Sequence, residues 1–365
     1  MTRRQLWQHI ICHLDLPLLA GIGLLMLASL LTLYSAGDHN FDRVMAQGVN
    51  ILVAMCCLWV VANLPLHYLM RTAVPIYVFG MLLLISVALF GEISHGARRW
   101  LNIGVATIQP SELMKIGVPL MMAWYFEKHE ASLTMKNYVV AALLLLMPVA
   151  LIARQPDLGT ALLISASGFY VLFLAGLSWR VIGGFFLASV ASAPMLWSML
   201  HEYQRHRILM LFDPSQDALG KGYHTIQGMI AVGSGGLFGK GYLNGTQTHL
   251  DFLPERTTDF IFAVYSEEFG LIGNFILLAM YFFVIARGFV ITANASTYFT
   301  RLMAGSITLT FATYAFVNMG MVSGILPVVG VPLPLVSYGG TSMLTLLLGF
   351  GMLMSIQTHK KLVKS

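Results

Sequence analysis

Long, uninterrupted apolar runs restrict what this sequence can fold into. The run at residues 16–36 contains no Asp, Glu, Lys, Arg or His. Charged residues make up only 10% of the chain, whereas a typical soluble domain carries about 25%. Inside a lipid bilayer, only helices and closed barrels can pair every backbone polar group. Because the runs are continuous rather than alternating, they predict membrane-spanning helices and not barrel strands.

Apolar runs near the ~20-residue length that a bilayer requires predict about ten transmembrane helices. The predicted fold is an all-α polytopic membrane protein, with a single integral membrane domain over residues 1–365. The seventh and eighth predicted spans are separated by a large external loop at residues 201–258, which is expected to be partly helical. The approximate span cores are 16–36, 47–64, 73–91, 111–127, 137–153, 158–177, 181–200, 259–287, 301–322 and 341–357.

Three of the segments between these cores carry further expectations. The run at 259–287 is longer than one span needs, so we expect part of it to tilt or project. Within the large loop, short helices are expected around 202–212 and 224–232. Residues 323–340 are too rich in Pro and Gly for a regular span, and a re-entrant or surface loop suits them better.

The distribution of Lys and Arg predicts the orientation. One set of short loops carries most of these cations, including Arg71, Arg180 and Arg301, and this side is expected to face the cytoplasm. With ten spans, both termini are expected on that side. The formal net charge of +5 suits a membrane leaflet rich in anionic lipid, and no feature indicates nucleic acid.

The opposite side also carries cations, which the topology rule disfavours. One explanation is that each cation pairs with a neighbouring carboxylate, and for any single residue this is the commoner arrangement. The other is an anionic ligand that several of them bind together, which we favour for the set. The cations are Arg98, Arg99, Arg205, Arg207, Lys221, Lys240 and Arg256.

Four ionisable side chains fall within nine residues just before an apolar run, namely Asp251, Glu255, Arg256 and Asp259. Thr257 or Thr258 is placed to cap the following helix, which would put Asp259 in its first turn. An acid there is stabilised by the helix dipole and needs no other role. An ionised, well-positioned carboxylate can also act as a general base. The two interpretations are compatible.

Two charged residues lie near the start of the fourth span. Pro110 and Ser111 open a helix, and Glu112 and Lys115 follow at a spacing that places them on one face. They are either a structural ion pair, or Lys115 contacts a phosphate in a cavity open to the outside while Glu112 holds it.

Other polar groups have structural explanations as well. Asp157 follows the helix-breaking Pro156, and its common use would be a helix cap. Glu267 and Glu268 lie about two turns after Asp259, and a structural network is the favoured interpretation.

The glycine run at 233–241 could form backbone nests for phosphate oxygens. It lacks the context of a nucleotide-binding loop, which argues against ATP or GTP. The histidines of the large loop lack zinc-ligand spacing, so no structural zinc is predicted. These histidines are His201, His206, His224 and His249.

Several motifs follow one another along nearly the whole chain. In content and order they resemble the SEDS family (shape, elongation, division and sporulation) of polytopic peptidoglycan polymerases. The short N-terminal segment and Arg256 are similar to the elongation branch rather than the division branch. The motifs are 96–100 with 109–112 and Lys115, 155–160, 205–208 with 213–214, 222–224 with 233–241, 254–262 and 333–340.

The resemblance implies that the chain polymerises lipid II into β-1,4-linked glycan strands at the outer face of the bacterial cytoplasmic membrane. Undecaprenyl pyrophosphate would be the leaving group. Replacing an α-linked pyrophosphate by a β bond is an inversion, which needs one base, and Asp259 is the implied catalytic base. The implied substrate-binding residues are Lys115, Glu112, Arg98, Arg205, Arg207, Lys240, Arg256, Asp157 and Ser337.

The resemblance also implies a partner, a class B penicillin-binding protein that cross-links the strands. Acids near a pyrophosphate are compatible with Mg²⁺ or Mn²⁺, although no motif fixes a metal site or another cofactor. Two alternative functions stay open on the sequence. One is a lipid II flippase that uses the same cavity, and the other is a non-catalytic scaffold of the elongation machinery.

Overall fold

The structure is a computed structural model that describes residues 14–359 except 95–96, 103–106, 156, 250–254 and most of 200–220. Within that part, ten helices of 17–33 residues follow the predicted spans, and two shorter helices lie in the large loop. The helices are α1 Leu16–Ala36, α2 Phe41–Ala62, α3 Leu66–Phe90, α4 Pro110–His129, α5 Met135–Arg154, α6 Leu158–Leu174, α7 Trp179–Met199, α8 Lys221–Ser234, α9 Thr246–His249, α10 Ile261–Ala293, α11 Tyr298–Val322 and α12 Gly340–Thr358.

The large loop is partly helical, as the sequence predicts. Helix α8 covers the expected helix at 224–232. Most of the expected helix at 202–212 lies outside the described residues.

Apolar side chains cover the outside of the bundle. Seven of the described helices are long and apolar enough to cross a membrane. On the outer surface, Phe185, Phe282 and Leu162 are 69%, 66% and 60% exposed. Soluble proteins rarely expose apolar patches on this scale. Lipid tails are as apolar as leucine, so a bilayer can cover such a surface. These observations confirm a multipass membrane protein.

Charged side chains tie helix ends together at one end of the bundle. Asp15 caps α1 by accepting from Leu18 N at 2.9 Å, and it also pairs with Arg287 of α10 at 2.5 Å. Glu127 of α4 accepts from Phe299 N in the first turn of α11 at 2.6 Å. Each interaction joins the start of one helix to the later part of another. Helices α1 and α10 therefore run antiparallel, and so do α4 and α11.

A small sheet between α3 and α4 departs from the predicted all-α fold. Strands β1 Glu92–Ser94, β2 Ala97–Asn102 and β3 Thr107–Ile108 form an antiparallel sheet in the order β1-β2-β3. The predicted spans come from long apolar runs, and strands this short leave no comparable signal. Their pairing satisfies the backbone groups of a segment that connects two spans.

Helix α10 breaks at Gly270, which has a φ of 64° and a ψ of −161°. A straight helix of 33 residues would be about 50 Å long, well beyond the ~30 Å hydrocarbon core. The break divides it into a short first segment and a longer second one. This agrees with the expectation that part of the run would depart from a single straight span.

The glycine run of the large loop supplies backbone partners at this break. Two amides of the loop donate to carbonyls before Gly270, and two amides after Gly270 donate to carbonyls of the loop. The loop amides at Lys240 and Gly241 are therefore bonded within the protein, which corrects their interpretation as a phosphate nest. The bonds are Lys240 N to Glu267 O, Gly241 N to Glu268 O, Leu271 N to Gly236 O and Ile272 N to Leu237 O, at 2.9–3.2 Å.

Side chains reinforce the same junction. The buried carboxylate of Glu267 accepts from Lys240 Nζ at 2.7 Å, and from Thr246 Oγ1 and Gln247 N at 3.1 Å. Glu268 accepts from the hydroxyl of Ser35 in the last turn of α1. The adjacent acids thus form the structural network that the sequence favours.

The junction predicts that Gly239→Ala destabilises the protein. Gly239 has a φ of 79°, and a Cβ built there would lie 2.0 Å from Glu268 O. A left-handed non-glycine residue costs about 1–2 kcal/mol before the clash is counted. We expect the melting temperature in detergent to fall by at least about 3 °C.

Gly233→Ala is the matched control. Gly233 lies in helix α8, and a Cβ built there meets no heavy atom within 4 Å. Alanine also favours a helix more than glycine does. We expect this variant to melt no lower than the native protein, and equal melting of the two variants would contradict the role of the junction.

Candidate active site

Two irregular segments meet at the end of the bundle where α10 and α12 begin. One is the turn at 255–260, and the other is the loop at 323–339. Ser337 Oγ donates to Thr258 O at 2.6 Å, and Tyr338 N donates to Thr257 O at 2.9 Å. The loop therefore fixes the backbone of the turn just before Asp259.

Helices of the bundle hold this loop by its carbonyl groups. Side chains from α1, α2, α10 and α11 each donate to a different loop residue, and all four of these side chains are buried. Irregular backbone can lie at membrane depth only where the protein satisfies it, and these bonds do so. The bonds are Ser29 Oγ to Val336 O, Gln47 Nε2 to Ser337 O, Tyr281 OH to Pro334 O and Asn318 Nδ2 to Val331 O, at 2.6–3.2 Å.

Asn318 also binds the candidate catalytic residue. Its amide donates to Val331 O at 2.7 Å and to Asp259 O at 2.9 Å, so one side chain joins both segments. Asn318 is fully buried within α11. Asn318 is not among the residues predicted from the sequence, although an amide inside an apolar span is costly and is therefore a usable signal.

Asp259 lies before helix α10 and not in its first turn. The helix begins at Ile261, and its N-cap, Phe260, makes no capping side-chain bond. The hydroxyl of Thr258 donates instead to the Glu255 carboxylate at 2.7 Å. The predicted threonine cap is therefore wrong, because this hydroxyl closes the turn.

A polar cleft of about 260 Å³ contains the Asp259 side chain. Loop residue Gly330 approaches it closely, since a Cβ built there would lie 3.4 Å from Asp259 Oδ2. The cleft brings together four predicted site residues from separate parts of the chain. The residues that line it are Trp100, Gln109, Glu112, Lys115, Asp157, Thr160, Leu163, Thr258, Asp259, Tyr314, Gly330, Val331, Pro332, Tyr338, Gly339, Thr341 and Ser342.

Lys115 and Glu112 form an ion pair in the wall of the cleft. The distance from Lys115 Nζ to Glu112 Oε1 is 2.5 Å, and their side chains are only 10% and 13% exposed. The ammonium also lies 5.1 Å from the centre of the Tyr314 ring. Glu112 Oε2 is buried and has no protein hydrogen-bond partner among the described residues. The structural ion pair is confirmed, while contact between Lys115 and a phosphate stays a prediction.

Asp157 caps helix α6 and lines the same cleft. Its Oδ1 accepts from Thr160 N at 3.3 Å, and its Oδ2 accepts from Gln109 Nε2 at 3.2 Å. The residue is 6% exposed. The capping interpretation is confirmed, and the cap forms part of the cleft wall.

The remaining described cations of the predicted set bind protein groups away from the cleft lining. Arg256 pairs with Asp38, and Lys240 pairs with Glu267. Arg205 donates to the carbonyls of Trp197 and Ser198, at the end of helix α7, at 2.9 and 2.7 Å. A cation at a helix C-terminus is favourable. Substrate binding by these three residues therefore stays a prediction.

Ser337 also has a structural role. Its hydroxyl accepts from Leu333 N at 2.8 Å while it donates to Thr258 O. Arg98 lies in strand β2, but its side chain is outside the described part, and Arg207 is not described. Among the described residues, no group of three or more His, Cys, Asp or Glu could hold a metal ion.

Comparison with known proteins places the chain among bacterial cell-wall proteins. A family model that covers FtsW, RodA and SpoVE, described as "Cell cycle protein", matches residues 10–362. "Peptidoglycan glycosyltransferase MrdB" of Escherichia coli K12 is 48% identical over 363 residues, covering 99% of this chain and 98% of the relative. "Peptidoglycan glycosyltransferase RodA" of Treponema pallidum is 30% identical, covering 95% and 98%.

Solved structures share the fold. A chain from "Structural coordination of polymerization and crosslinking by a peptidoglycan synthase complex" matches with a TM-score of 0.81 at 31% identity, covering 94% of this chain and 97% of that one. The crystal structure of the rod shape determining protein RodA of Thermus thermophilus matches with a TM-score of 0.70 at 29% identity, covering 94% and 96%.

The site geometry predicts that Asn318→Leu loosens both segments. The change keeps the side-chain size but leaves the carbonyls of Asp259 and Val331 without this donor, at about 1–3 kcal/mol for each unsatisfied group. We expect faster amide hydrogen exchange at 255–260 and 327–339, together with a lower melting temperature.

Thr313→Val on the same helix is the control for this change. It removes a half-buried hydroxyl that bonds to Tyr170 on α6 at 2.5 Å and to Leu309 O of its own helix at 2.9 Å. We expect native exchange at 255–260 and 327–339 in this variant. Native exchange there in Asn318→Leu as well would show that Asn318 does not hold the segments.

Proposed function

Because this chain belongs to the FtsW/RodA/SpoVE family, we propose that its polar cleft is the site at which it works as a peptidoglycan glycosyltransferase of cell elongation. One observation carries the assignment of residues. The acid Asp259 and the buried Lys115–Glu112 pair line the same cleft, although they are far apart in sequence. A base and a cation are the two groups that an inverting transfer from a pyrophosphate requires.

Asp259 is the proposed general base. In the reaction, the 4-hydroxyl of the acceptor lipid II attacks the anomeric carbon of the growing strand. A β-1,4 C–O bond forms as the α-linked C–O bond to undecaprenyl pyrophosphate breaks. The carboxylate takes the proton of the attacking hydroxyl. Two bonds support its position, since Asn318 holds the Asp259 carbonyl and Ser337 holds the preceding carbonyl of Thr258. Such fixed geometry favours proton transfer.

Lys115 is the proposed partner of the leaving group. The departing pyrophosphate gains negative charge, and an ammonium in a partly enclosed site stabilises that charge more strongly than in water. Among the described residues that line the cleft, Lys115 is the only Lys or Arg. Glu112 Oε1 fixes its position, and the other oxygen, Oε2, is buried without a protein hydrogen-bond partner among the described residues.

Three other residues of the cleft lining could bind a sugar. Asp157 and Gln109 form a hydrogen-bonded pair in the cleft, and Trp100 adds an aromatic surface. We assign Asp157 to orienting substrate hydroxyls through this pair. Arg98, Arg205, Arg207, Lys240, Arg256 and Ser337 stay in the proposed substrate-binding set on the family resemblance alone, and a divalent cation is left to experiment.

The setting of the reaction follows from topology and family. The Lys and Arg distribution supports cytoplasmic termini and an external cleft in the bacterial inner membrane, with residues 1–365 acting as one unit. The solved relative that is described as part of a peptidoglycan synthase complex supports a penicillin-binding protein partner. We assign that partner to class B, the transpeptidases that cross-link the strands.

Asp259→Asn should abolish glycan polymerisation. The amide keeps the side-chain shape but cannot accept the proton, and a general base contributes about 10²–10⁴-fold in rate. The measurement is polymerisation of lipid II by the purified protein with its transpeptidase. Asp42→Asn, an exposed acid at the start of α2, is the control and should retain native rates. Native polymerisation by Asp259→Asn would show that Asp259 is not the base.

Lys115→Ala should weaken the use of lipid-linked substrate. A charged hydrogen bond is worth about 1.5–3 kcal/mol, so we expect kcat/KM to fall by at least about tenfold. Lys128→Ala is the control, because Lys128 lies over the Trp124 ring at the opposite end of the same helix. It should leave kcat/KM unchanged.

A double variant separates charge from folding. Lys115→Ala leaves the Glu112 charge buried alone, which could unfold the site. Lys115→Met combined with Glu112→Gln removes both charges and keeps similar volumes. If this protein melts normally and regains native kinetics, Lys115 is only a structural ion-pair partner.

A further inference from the structure

The second half of α1 and the connection that follows it contact four separate segments of the protein. These are the loop at 323–339, the large loop, the first segment of α10 and the turn at 255–260. One helix therefore ties together the segments on which the candidate site depends. The contacts are Ser29 Oγ to Val336 O, Tyr242 OH to Leu31 O, Ser35 Oγ to Glu268 Oε1 and Arg256 Nη2 to Asp38 Oδ2.

The connection between α1 and α2 holds Asp38 in a defined conformation. Asp38 and His39 both have left-handed φ values, of 54° and 61°. Asp38 N donates to Ser35 O at 3.2 Å. His39 N donates to Tyr34 O at 3.1 Å, and the rings of these two residues meet edge to face. Left-handed residues other than glycine persist where the surrounding structure fixes them, and they cluster at functional sites.

Arg256 lies at the start of the turn that carries Asp259. The turn closes on Glu255 O, which accepts from two amides later in the turn, at 3.1 and 3.2 Å. Helix α11 and the loop at 323–339 bind the later carbonyls of the turn, as described above. Asp38 instead binds the start of the turn, through an Arg256 side chain that is only 13% exposed.

We propose that Asp38 is a positioning residue of the glycosyl transfer, which acts through Arg256 to hold the turn that carries Asp259. The inference rests on the proposed function, in which Asp259 is the general base. Arg256 belongs to the substrate-binding set on resemblance alone, and the pair with Asp38 gives it a positioning role.

An ion pair of this kind affects geometry more than stability. The Asp38 side chain is 50% exposed, and ion pairs in contact with solvent contribute little to the free energy of unfolding. A general base must lie within hydrogen-bond distance of the proton that it takes, and a displacement of about 1 Å can lower the rate about 100-fold. Loss of Asp38 therefore predicts a slower reaction in a protein that is equally stable.

Asp38→Asn tests the pair with little disturbance of the backbone. Asparagine also adopts left-handed φ values readily, so the change removes the charge and keeps the conformation. For polymerisation of lipid II by the purified protein with its transpeptidase, we expect kcat to fall at least about tenfold, with KM and the melting temperature native. Asp42→Asn, at an exposed position on α2, is the matched control and should keep native kcat.

A double-mutant cycle tests whether Asp38 acts through Arg256. The cycle compares Asp38→Asn, Arg256→Gln and the double variant. Changes in one interacting pair are not additive, so we expect kcat of the double variant to be no lower than that of Arg256→Gln alone. Additive losses of kcat would show that the two residues act independently and would overturn the proposal.

Amide hydrogen exchange tests the position of the turn without any reaction. We expect faster exchange at 255–260 in Asp38→Asn and native exchange there in Asp42→Asn, because only the first change releases Arg256. Exchange in the second segment of α10, after Gly270, should stay native in both variants.

The outcomes separate this proposal from the proposed function. Native kcat or native exchange in Asp38→Asn would overturn the positioning role, and so would a rise in KM at unchanged kcat. A melting temperature that falls together with kcat would make Asp38 a structural residue only. Native polymerisation by Asp259→Asn would instead contradict the proposed base, whatever the exchange of the Asp38 variant.

Discussion

Backbone hydrogen bonds that irregular segments receive from the rest of the protein hold this structure together. At Gly270 the helical ladder of α10 is interrupted, and the glycine run replaces the missing partners with its own amides and carbonyls. Between α11 and α12 the chain has no regular structure, and side chains of four helices bind its carbonyls. Within a bilayer no water is present to satisfy the backbone, and these bonds take its place.

The same bonds position the chemistry. Asp259 lies between the two segments, eleven residues before Gly270 and hydrogen-bonded through its carbonyl to Asn318. Ser337 and Tyr338 fix the two preceding carbonyls. The backbone around Asp259 is therefore held mainly by buried amides and hydroxyls of the protein itself. The Lys115–Glu112 pair places two charges in the same cleft as Asp259.

Much of the fold was predictable because an apolar run is a local property of the sequence. All ten spans follow their predicted cores, while the short sheet at 92–108 has no such signal. Asp259, Lys115, Glu112 and Asp157 were predicted as site residues, and they do share a cleft. The partners of the other cations were not predictable. Arg256 binds Asp38, 218 residues earlier, and only the folded bundle brings the two together.

The loop between α11 and α12 has a consequence for how the protein is made. Its anchors come from the first, second, eighth and ninth spans, and the loop itself follows the ninth span. Domains generally form as the chain emerges from its N-terminal end. A nascent chain that has inserted nine spans still lacks the segment that fixes Asp259. The turn that carries Asp259 therefore gains these contacts only after nine spans have been made.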